Sequence, residues 1–122
     1  MMTPTIVLKN GRIRLVVGSG GSIRIRSAIL QVLTNLLDYR MTLDKAVNTS
    51  RIHLEEGVLQ CEAGYDPPAV DGLEKVGYEV NRWDKRSIYF GGAHSVSWSE
   101  DGRLVAAGDN RRGGSVAQVD AR

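Results

Sequence analysis

The sequence predicts an α+β fold with a mainly antiparallel sheet and about three helices. Short β-branched runs come in pairs joined by tight turns that contain glycine, which is the pattern of β-hairpins. The helical patterns are few and clustered, whereas a parallel α/β sheet needs helices that alternate regularly with strands. With 122 residues, 42% of them hydrophobic and 25% charged, the chain has the length and composition for one hydrophobic core.

The first predicted elements are a hairpin and a long amphipathic helix. Two apolar runs, Thr5 to Leu8 and Ile13 to Val17, flank Asn10-Gly11, which is the strongest short hairpin signal. After the glycine-rich residues 18–22, apolar residues recur at helical spacing and predict a helix over about 22–38 with one buried face. The apolar stripe consists of Ile25, Ile29, Val32 and Leu36, widened by Ala28, Leu33 and Leu37.

A short second helix and a second strand pair are predicted next. Thr42 has the side chain of an N-cap for a helix from Leu43 to Thr49, and Asp44 lies favourably in its first turn. Strands over Ser50 to Glu55 and Val58 to Glu62 then meet at a Glu-Gly turn. The strand pair continues the hairpin pattern of the chain.

The third helix is bracketed by its own start and stop signals. Asp66-Pro67 places a capping carboxylate before a proline at the first helical position, and Gly77 is the expected stop. The rest of the chain predicts strands only. These are Tyr78 to Trp83, Ala93 to Trp98, Arg103 to Ala107 and a short strand near Ser115 to Val119, the middle two forming a hairpin about residues 99–102.

Composition and charge exclude several classes of function. Sixteen Lys and Arg against 14 Asp and Glu give a net charge of +2, too small an excess to indicate nucleic-acid binding. No run approaches the ~18 apolar residues of a membrane span. The single cysteine, Cys61, excludes an internal disulfide and a cysteine-based zinc site. Because no targeting segment is recognisable, the localisation is left open.

The loop Gly18-Ser19-Gly20-Gly21-Ser22 is the most informative local feature. Paired glycines let backbone N–H groups approach a ligand closely, and the start of a helix adds a partial positive charge. Such a loop can hold a phosphate, a carboxylate or an oxyanion, although it matches neither the dinucleotide motif, nor the P-loop, nor the nucleophile elbow. The simpler interpretation is a tight strand-to-helix turn in which Ser22 is the N-cap.

Arginines near this loop and near the end of the chain are candidates for binding an anion. Arg24 and Arg26 lie in the first helical turn, where a cation opposes the helix dipole. An anion, or an acidic residue from elsewhere in the chain, is therefore expected beside them. Arg111-Arg112 precedes two glycines and could clamp a carboxylate, but a solvated turn is the simpler interpretation.

The remaining polar and aromatic residues do not form a recognisable site. His53 and His94 lack the spacing of metal ligands or of a Ser–His–Asp triad. Cys61 is expected to be a small buried hydrophobe. Four aromatic side chains are expected in the core or on the sheet surface rather than in a base-stacking platform. They are Tyr78, Trp83, Tyr89 and Trp98.

In their order and spacing, these segments resemble the γ-glutamyltranspeptidase family over essentially the whole chain. The resemblance is carried by Met2 to Val7, Gly18 to Ser22 with Arg24 to Leu33, Ala46 to Asn48 with Arg51 to His53, and Asp109 with Arg111 to Gly114. Three positions depart from the family pattern. Ile23 stands where a polar residue is usual, and Ser50 and Asn110 stand where prolines are usual.

The resemblance implies part of the four-layer αββα sandwich of the N-terminal-nucleophile hydrolases. Residues 1–122 would be the C-terminal portion of the small subunit, a fragment that begins just beyond the catalytic threonine. Family members cleave γ-glutamyl amides such as glutathione through an acyl-threonine, which water or an amine then resolves. By resemblance, Gly20 and Gly21 supply the oxyanion hole, and Ser22 and Arg24 are candidate substrate contacts. No metal and no cofactor is implied.

Because neither Thr3 nor Thr5 has the family's nucleophile context, the chain alone is expected to be inactive, whereas its parent protein is expected to be an enzyme. The implied partners are a γ-glutamyl small molecule, the remainder of the small subunit and the large subunit. An isolated fragment is also expected to be prone to self-association. A competing hypothesis is a non-catalytic module that binds small carboxylates or a protein partner on the same scaffold. The sequence leaves open transferase or hydrolase, and periplasm or cytoplasm.

Overall fold

A computed structural model describes residues 3–119 and contains two sheets and three helices. Of the segments that carry the resemblance, only Met2 lies outside the described residues. In chain order the elements are β1 (Thr5–Lys9), β2 (Arg12–Gly20), α1 (Ile25–Leu37), α2 (Leu43–Asn48), β3 (Ile52–Glu55), β4 (Val58–Cys61), α3 (Pro67–Lys75), β5 (Glu79–Arg82), β6 (Gly92–Trp98) and β7 (Leu104–Ala107). Short 3₁₀ turns lie at Ser22–Arg24, Ile88–Phe90 and Asn110–Arg112.

The larger sheet has the strand order β1-β2-β6-β7 and is antiparallel throughout. The predicted Asn10-Gly11 hairpin is confirmed, since both residues have the left-handed backbone of a tight hairpin turn, with φ of 52° and 74°. Strand β2 is longer than predicted. It continues to Gly20, because Ser19 and Gly20 lie opposite Ala93 and Gly92 of β6.

The main core lies between one face of this sheet and helices α1 and α2. It joins Leu15 and Val17 of β2 to the apolar stripe of α1 and to Val47 of α2. The predicted stripe is confirmed except for Leu37, which is 41% exposed at the last turn of α1. The other face of the sheet is exposed although it is apolar. It carries Ile6, Val16, Val96, Trp98 and Leu104.

The smaller sheet has the order β3-β4-β5. Strands β3 and β4 form the predicted antiparallel hairpin, whereas β4 and β5 are parallel. Helix α3 separates β4 from β5 in the chain, and a helical crossover is what allows neighbouring strands to run the same way. This is the one parallel pair in the described part of the chain, so the prediction of a mainly antiparallel fold is confirmed.

The start and stop signals of α2 and α3 are confirmed with one difference. Thr42 caps α2 by accepting a hydrogen bond from the Lys45 N–H at 3.4 Å. Helix α3 begins at Pro67 and ends just before Gly77, which has a φ of +102°. Asp66 occupies the N-cap position, but its carboxylate makes no capping hydrogen bond. In the described residues no helix has the length and apolar character of a membrane span.

The predicted strand near Ser115 to Val119 is wrong. Residues 114–119 have no regular secondary structure and pair with no strand in the described range. Val116 and Val119 are 52% and 89% exposed. With no buried face to set a register, the short apolar run has nothing that holds it in a sheet.

Candidate functional site

The glycine-rich loop joins the end of β2 to the start of α1. Gly21 has a φ of +130° and Ser22 a φ of +56°, after which Ser22–Arg24 forms the 3₁₀ turn that leads into α1. The Arg24 N–H closes this turn by donating to the Gly21 carbonyl at 3.1 Å. Within residues 3–119, the N–H groups of Gly21 and Ser22 donate no hydrogen bond, so two adjacent donors are free at the start of a helix.

Ser22 is not the N-cap, and the prediction that made it one is wrong. Its backbone is left-handed, whereas an N-cap residue is extended, and its side chain makes no capping hydrogen bond. Helix α1 therefore begins at Ile25 rather than at residue 22. A left-handed serine is uncommon and costs free energy, which makes this loop a strained connection rather than an ordinary turn.

A second segment that contains glycine lies against the loop. It comprises residues 87–93 and is called the Gly91 segment. Gly91 follows the 3₁₀ turn Ile88–Phe90 and has a φ of +86°. A Cβ atom on Gly21 would lie 2.8 Å from the Gly91 Cα, and a Cβ on Gly91 would lie 2.9 Å from the Gly20 carbonyl oxygen. Both positions therefore require glycine, because the two backbones touch.

Gly20 and Arg112 lie on the exposed side of the same loop. Gly20 is the exposed last residue of β2, and a Cβ atom there would lie 3.4 Å from the Arg112 Cζ. The Arg112 side chain also covers Gly92, the residue opposite Gly20 in the sheet. The solvated turn expected at Arg111-Arg112 is confirmed for Arg112, which is exposed, and is wrong for Arg111, which is buried.

Arg24 has the acidic partner that its position in the first turn required. Its Nη2 lies 3.4 Å from the Glu55 Oε2, and its Cζ lies 4.0 Å from the centre of the Tyr89 ring. The Tyr89 hydroxyl donates to the same carboxylate oxygen of Glu55. Arg26 is different, because it is exposed and its Nε donates to the Ile23 carbonyl at 3.4 Å.

The two histidines lie apart from each other. His53 is 4% exposed, and its Nδ1 lies 2.7 Å from the Ser27 Oγ, whereas its Nε2 has no partner in residues 3–119. Burial lowers the pKa of His53, so the ring is neutral at pH 7. His94 lies on the exposed face of the larger sheet. The described residues contain no group of three side chains that could hold a metal ion.

A buried cluster of four charged residues lies between the two sheets. Its members are Arg51, Glu62, Asp109 and Arg111. Asp109 pairs with Arg51 at 2.7 Å and with Arg111 at 3.2 Å, and Arg111 also pairs with Glu62. Burial by itself would raise the pKa of the Asp109 carboxyl, but Arg51 and the backbone N–H groups of Arg111 and Ala93 hold that pKa below its ordinary value.

The charged cluster also holds the Gly91 segment in place. The Arg51 Nη1 donates to the Phe90 carbonyl at 3.0 Å, and Asp109 accepts from the Ala93 N–H at 2.8 Å. Glu62 accepts from the Ser87 N–H at 3.1 Å. Sequence reasoning missed Glu62 altogether, because a glutamate at the end of a strand pattern carries no sign that it is buried. Arg51 and Asp109 were singled out only by the resemblance, whereas Arg111 was also a candidate for binding a carboxylate, but as part of a solvated turn.

The expectations for the cysteine and the aromatic side chains are confirmed. Cys61 is buried. Trp83 stacks on Tyr89 with ring centres 4.8 Å apart, and both contact Phe90. Tyr78 and Trp98 are each 46% exposed, at the surface of the fold.

Solved structures of known proteins share this helix-backed antiparallel sheet. The α+β fold is that of the N-terminal-nucleophile hydrolases. Within this class the chain belongs to the γ-glutamyltranspeptidase family, whose sequence profile matches residues 1–119. The resemblance stated above is therefore confirmed.

Individual relatives agree with this membership. The chain is 34% identical over 118 residues to an acylase ACY 1 proenzyme of a Pseudomonas species, covering 97% of this chain and 21% of that protein. It is 35% identical over 112 residues to the glutathione hydrolase proenzyme of Escherichia coli, covering 90% and 19%. A solved mutant of Helicobacter pylori γ-glutamyltranspeptidase superimposes with a TM-score of 0.79 at 34% identity, covering 90% of this chain and 60% of that one. The chain thus spans about a fifth of the length of the curated relatives.

Proposed function

We propose that this chain supplies the oxyanion-binding loop of an enzyme that cleaves γ-glutamyl amides such as glutathione through an acyl-threonine intermediate. The observation that carries the proposal is the pair of free N–H groups at Gly21 and Ser22, next to the start of α1. Donors fixed in this way stabilise the negative charge that develops on a carbonyl oxygen during acyl transfer. Family membership supports the same chemistry.

The proposed reaction has two steps, and this chain serves both. A threonine hydroxyl from another part of the protein attacks the amide carbon, and the carbonyl oxygen becomes an oxyanion held by the loop. The tetrahedral intermediate expels the amine, which leaves with the proton lost by the hydroxyl, and an acyl-threonine remains. Water or an acceptor amine then attacks the ester through a second oxyanion at the same loop, which releases the threonine. Transfer and hydrolysis differ only in this second nucleophile.

Within the loop, the geometry favours Gly21 as an oxyanion donor. The resemblance assigned the role to Gly20 and Gly21, but Gly20 belongs to β2, whereas Gly21 and Ser22 share the left-handed turn and the free N–H groups. We therefore expect Gly21 and the adjacent Ser22 N–H to make the contact. The resemblance also named Ser22 and Arg24 as candidate substrate contacts. Ser22 is exposed, so its side chain is accessible beside the two free N–H groups, whereas the Arg24 guanidinium is paired with Glu55.

The exposed apolar face of the larger sheet supports a role as part of a larger assembly. Ile6, Val16 and Val96 lie side by side across three strands and are 59%, 38% and 39% exposed. Together with Trp98 and Leu104 they form a contiguous apolar surface of the kind that another layer normally covers. We propose that residues 1–122 are the C-terminal portion of the small subunit, and that the rest of that subunit and the large subunit pack here and around the loop.

The test is cleavage of a γ-glutamyl anilide, measured with the 122-residue chain and with the whole protein in which the chain occurs. We expect turnover by the whole protein, a γ-glutamyl group on one threonine outside residues 1–122 in quenched samples by mass spectrometry, and no turnover by the chain. Turnover by the chain alone, or no turnover of the γ-glutamyl anilide by the whole protein, would overturn the proposal.

The competing function is binding of small carboxylates without catalysis, and the same two free N–H groups favour it. A carboxylate accepts the same hydrogen bonds as an oxyanion. Titration with glutamate would then shift the amide resonances of Gly21 and Ser22 at concentrations that produce no turnover. The anilide assay separates the two functions, since only the enzyme releases the aniline.

A further inference from the structure

We propose that Glu55 is a positioning residue for the glycine loop, because its carboxylate ties together the two segments that fix the Gly21 backbone. Glu55 is the last residue of β3 in the smaller sheet, and neither the loop nor the Gly91 segment belongs to that sheet. The expected effect on catalysis rests on the proposed function, whereas the effect on the loop itself does not.

The contacts of Glu55 form a closed triangle with Arg24 and Tyr89. Its Oε2 lies 3.4 Å from the Arg24 Nη2 and accepts a hydrogen bond from the Tyr89 hydroxyl. The third side is the contact of the Arg24 guanidinium with the Tyr89 ring, whose centre lies 4.0 Å from the Cζ atom. The side chains of Arg24 and Glu55 are only 24% and 25% exposed, so water screens the pair less than at the open surface.

Two members of the triangle, Arg24 and Tyr89, each connect Glu55 to Gly21 through a short path. On the loop side, the Arg24 N–H donates to the Gly21 carbonyl at 3.1 Å, which sets the orientation of the peptide after Gly21. On the other side, Tyr89 precedes Gly91 by two residues, and the Gly91 Cα touches the Gly21 backbone. Glu55 therefore acts on Gly21 by two routes, through Arg24 and through the Gly91 segment, which contains Tyr89.

Without Glu55, Tyr89 would keep other contacts that hold it in place, whereas Arg24 would lose its main one. Tyr89 also stacks on Trp83 at 4.8 Å, and Arg51 binds the carbonyl of the next residue, Phe90. Arg24, in contrast, has a buried Nε without a partner in residues 3–119, and its charge lies in the first turn, where it opposes the helix dipole. Loss of the carboxylate would leave the guanidinium with the Tyr89 ring alone, so the turn that holds Gly21 is the part expected to loosen.

The test compares Glu55→Leu and Glu55→Gln with wild type in the whole protein in which the chain occurs. The control is Glu74→Gln, because the Glu74 carboxylate also pairs with an arginine, Arg82 at 2.8 Å, but on the surface of α3. Hydrogen exchange is followed by mass spectrometry in peptides that cover residues 19–26. We expect roughly tenfold faster exchange in this peptide for Glu55→Leu, a smaller increase for Glu55→Gln, which keeps an accepting oxygen, and none for the control.

Kinetics provide a second readout that a general loss of stability would not give. Misplaced oxyanion donors weaken the transition state more than the bound substrate, so kcat should fall about tenfold in Glu55→Leu while KM stays within about twofold. The rate is expressed per active site, counted from the burst of released aniline, so unfolded protein does not contribute. Glu55→Gln should recover part of the lost rate.

Other results of the exchange and kinetic experiments would overturn the proposal or the proposed function. Unchanged exchange in residues 19–26 would overturn the proposal, as would an equal acceleration in peptides throughout the chain, which would make Glu55 a general stabilising residue. A raised KM at unchanged kcat would also overturn it, since Glu55 would then contact substrate. If wild type cleaves no γ-glutamyl anilide, the proposed function fails, and the exchange measurement still decides whether Glu55 positions the loop.

Discussion

The guanidinium of Arg51 and the carboxylate of Asp109 meet at 2.7 Å, with side chains that are 2% and 0% exposed. Arg51 immediately precedes β3 of the smaller sheet, and Asp109 follows β7 of the larger one, so the pair joins the two sheets. A buried pair of this kind contributes little net free energy compared with apolar packing. Removal of one partner, however, leaves the other charge buried and uncompensated.

Asp109→Asn is expected to destabilise the protein strongly. The substitution keeps the size of the side chain but leaves Arg51 and Arg111 with Glu62 as the only carboxylate of the cluster. The expected loss in the free energy of unfolding is about 3–5 kcal/mol. Urea unfolding at pH 7, followed by circular dichroism, measures it.

The control is Asp101→Asn, because Asp101 pairs with Arg103 at 2.6 Å where both side chains are exposed. Its expected cost is much smaller, because water screens a pair in which both side chains are exposed. Equal costs at the two positions would contradict a structural role for the cluster.

The pH dependence of stability has a definite sign, because the pKa of Asp109 is lowered in the folded state. The contribution of Asp109 to the free energy of unfolding is present above the ordinary value near 3.8 and is lost as the pH falls through the lower folded value.

Tyr65 is expected to limit stability at alkaline pH. Its hydroxyl donates to the Ser50 carbonyl at 2.9 Å, and burial raises its pKa from 10.0 to about 12. Between these values the unfolded chain loses the tyrosine proton while the folded chain keeps it, so stability falls as the pH rises. The loss approaches roughly 2–3 kcal/mol by pH 12.

Tyr65→Phe should flatten this alkaline slope, at a cost of about 1 kcal/mol near pH 8 for the lost hydrogen bond. Tyr39→Phe is the matched control, because Tyr39 is 69% exposed. The measurement is urea unfolding at several values between pH 8 and 11. An alkaline slope that is the same in wild type and Tyr65→Phe would mean that another group causes it.

Local signals in the sequence were sufficient for most of the fold. The Asn10-Gly11 turn, the apolar stripe of α1 and Gly77 after α3 each depend on residues close in the chain, and each prediction is confirmed. The strand predicted over 115–119 is wrong because a strand also needs a distant partner. A propensity to be extended does not supply that partner.

The site was less predictable, because its parts meet only in three dimensions. The glycine loop is visible in the sequence, but the left-handed backbone at Ser22 and the close approach of Gly91 are not. The burial of Arg111 was missed for a similar reason. An Arg-Arg-Gly-Gly sequence is typical of a solvated turn, and only the folded chain places Glu62 beside Arg111.

If the proposed function is correct, Gly21→Ala is expected to impair acylation strongly. The new Cβ would lie 2.8 Å from the Gly91 Cα, and alanine rarely adopts a φ of +130°. The loop must therefore move, and loss of one oxyanion donor typically lowers kcat by about 10²–10³. The measurement is the burst rate of γ-glutamyl anilide cleavage in the whole protein in which the chain occurs.

Gly20→Ala serves as the comparison for this prediction. A Cβ atom at Gly20 would meet only the Arg112 side chain, at 3.4 Å, and that side chain is exposed and can shift. Its effect on kcat should therefore stay within a few-fold, since the backbone N–H remains in place. A loss as large as that of Gly21→Ala would show that the position of Gly20 is as critical as that of Gly21.

Val96→Lys tests whether the exposed face of the larger sheet is covered in the assembled protein. Val96 lies at the centre of that face, between Val16 and Ala106, and is 39% exposed. In the 122-residue chain a lysine there should change the free energy of unfolding by less than about 1 kcal/mol and reduce self-association, because the position is open to water. In the whole protein, if the proposed packing on this face is correct, the same charge would lie in an apolar interface and should prevent assembly of the subunits. Leu30→Lys, at a 64% exposed position of α1 on the other side of the sheet, controls for the added charge. Size-exclusion chromatography and the yield of assembled protein measure both variants, and normal assembly of Val96→Lys would mean that this face stays open.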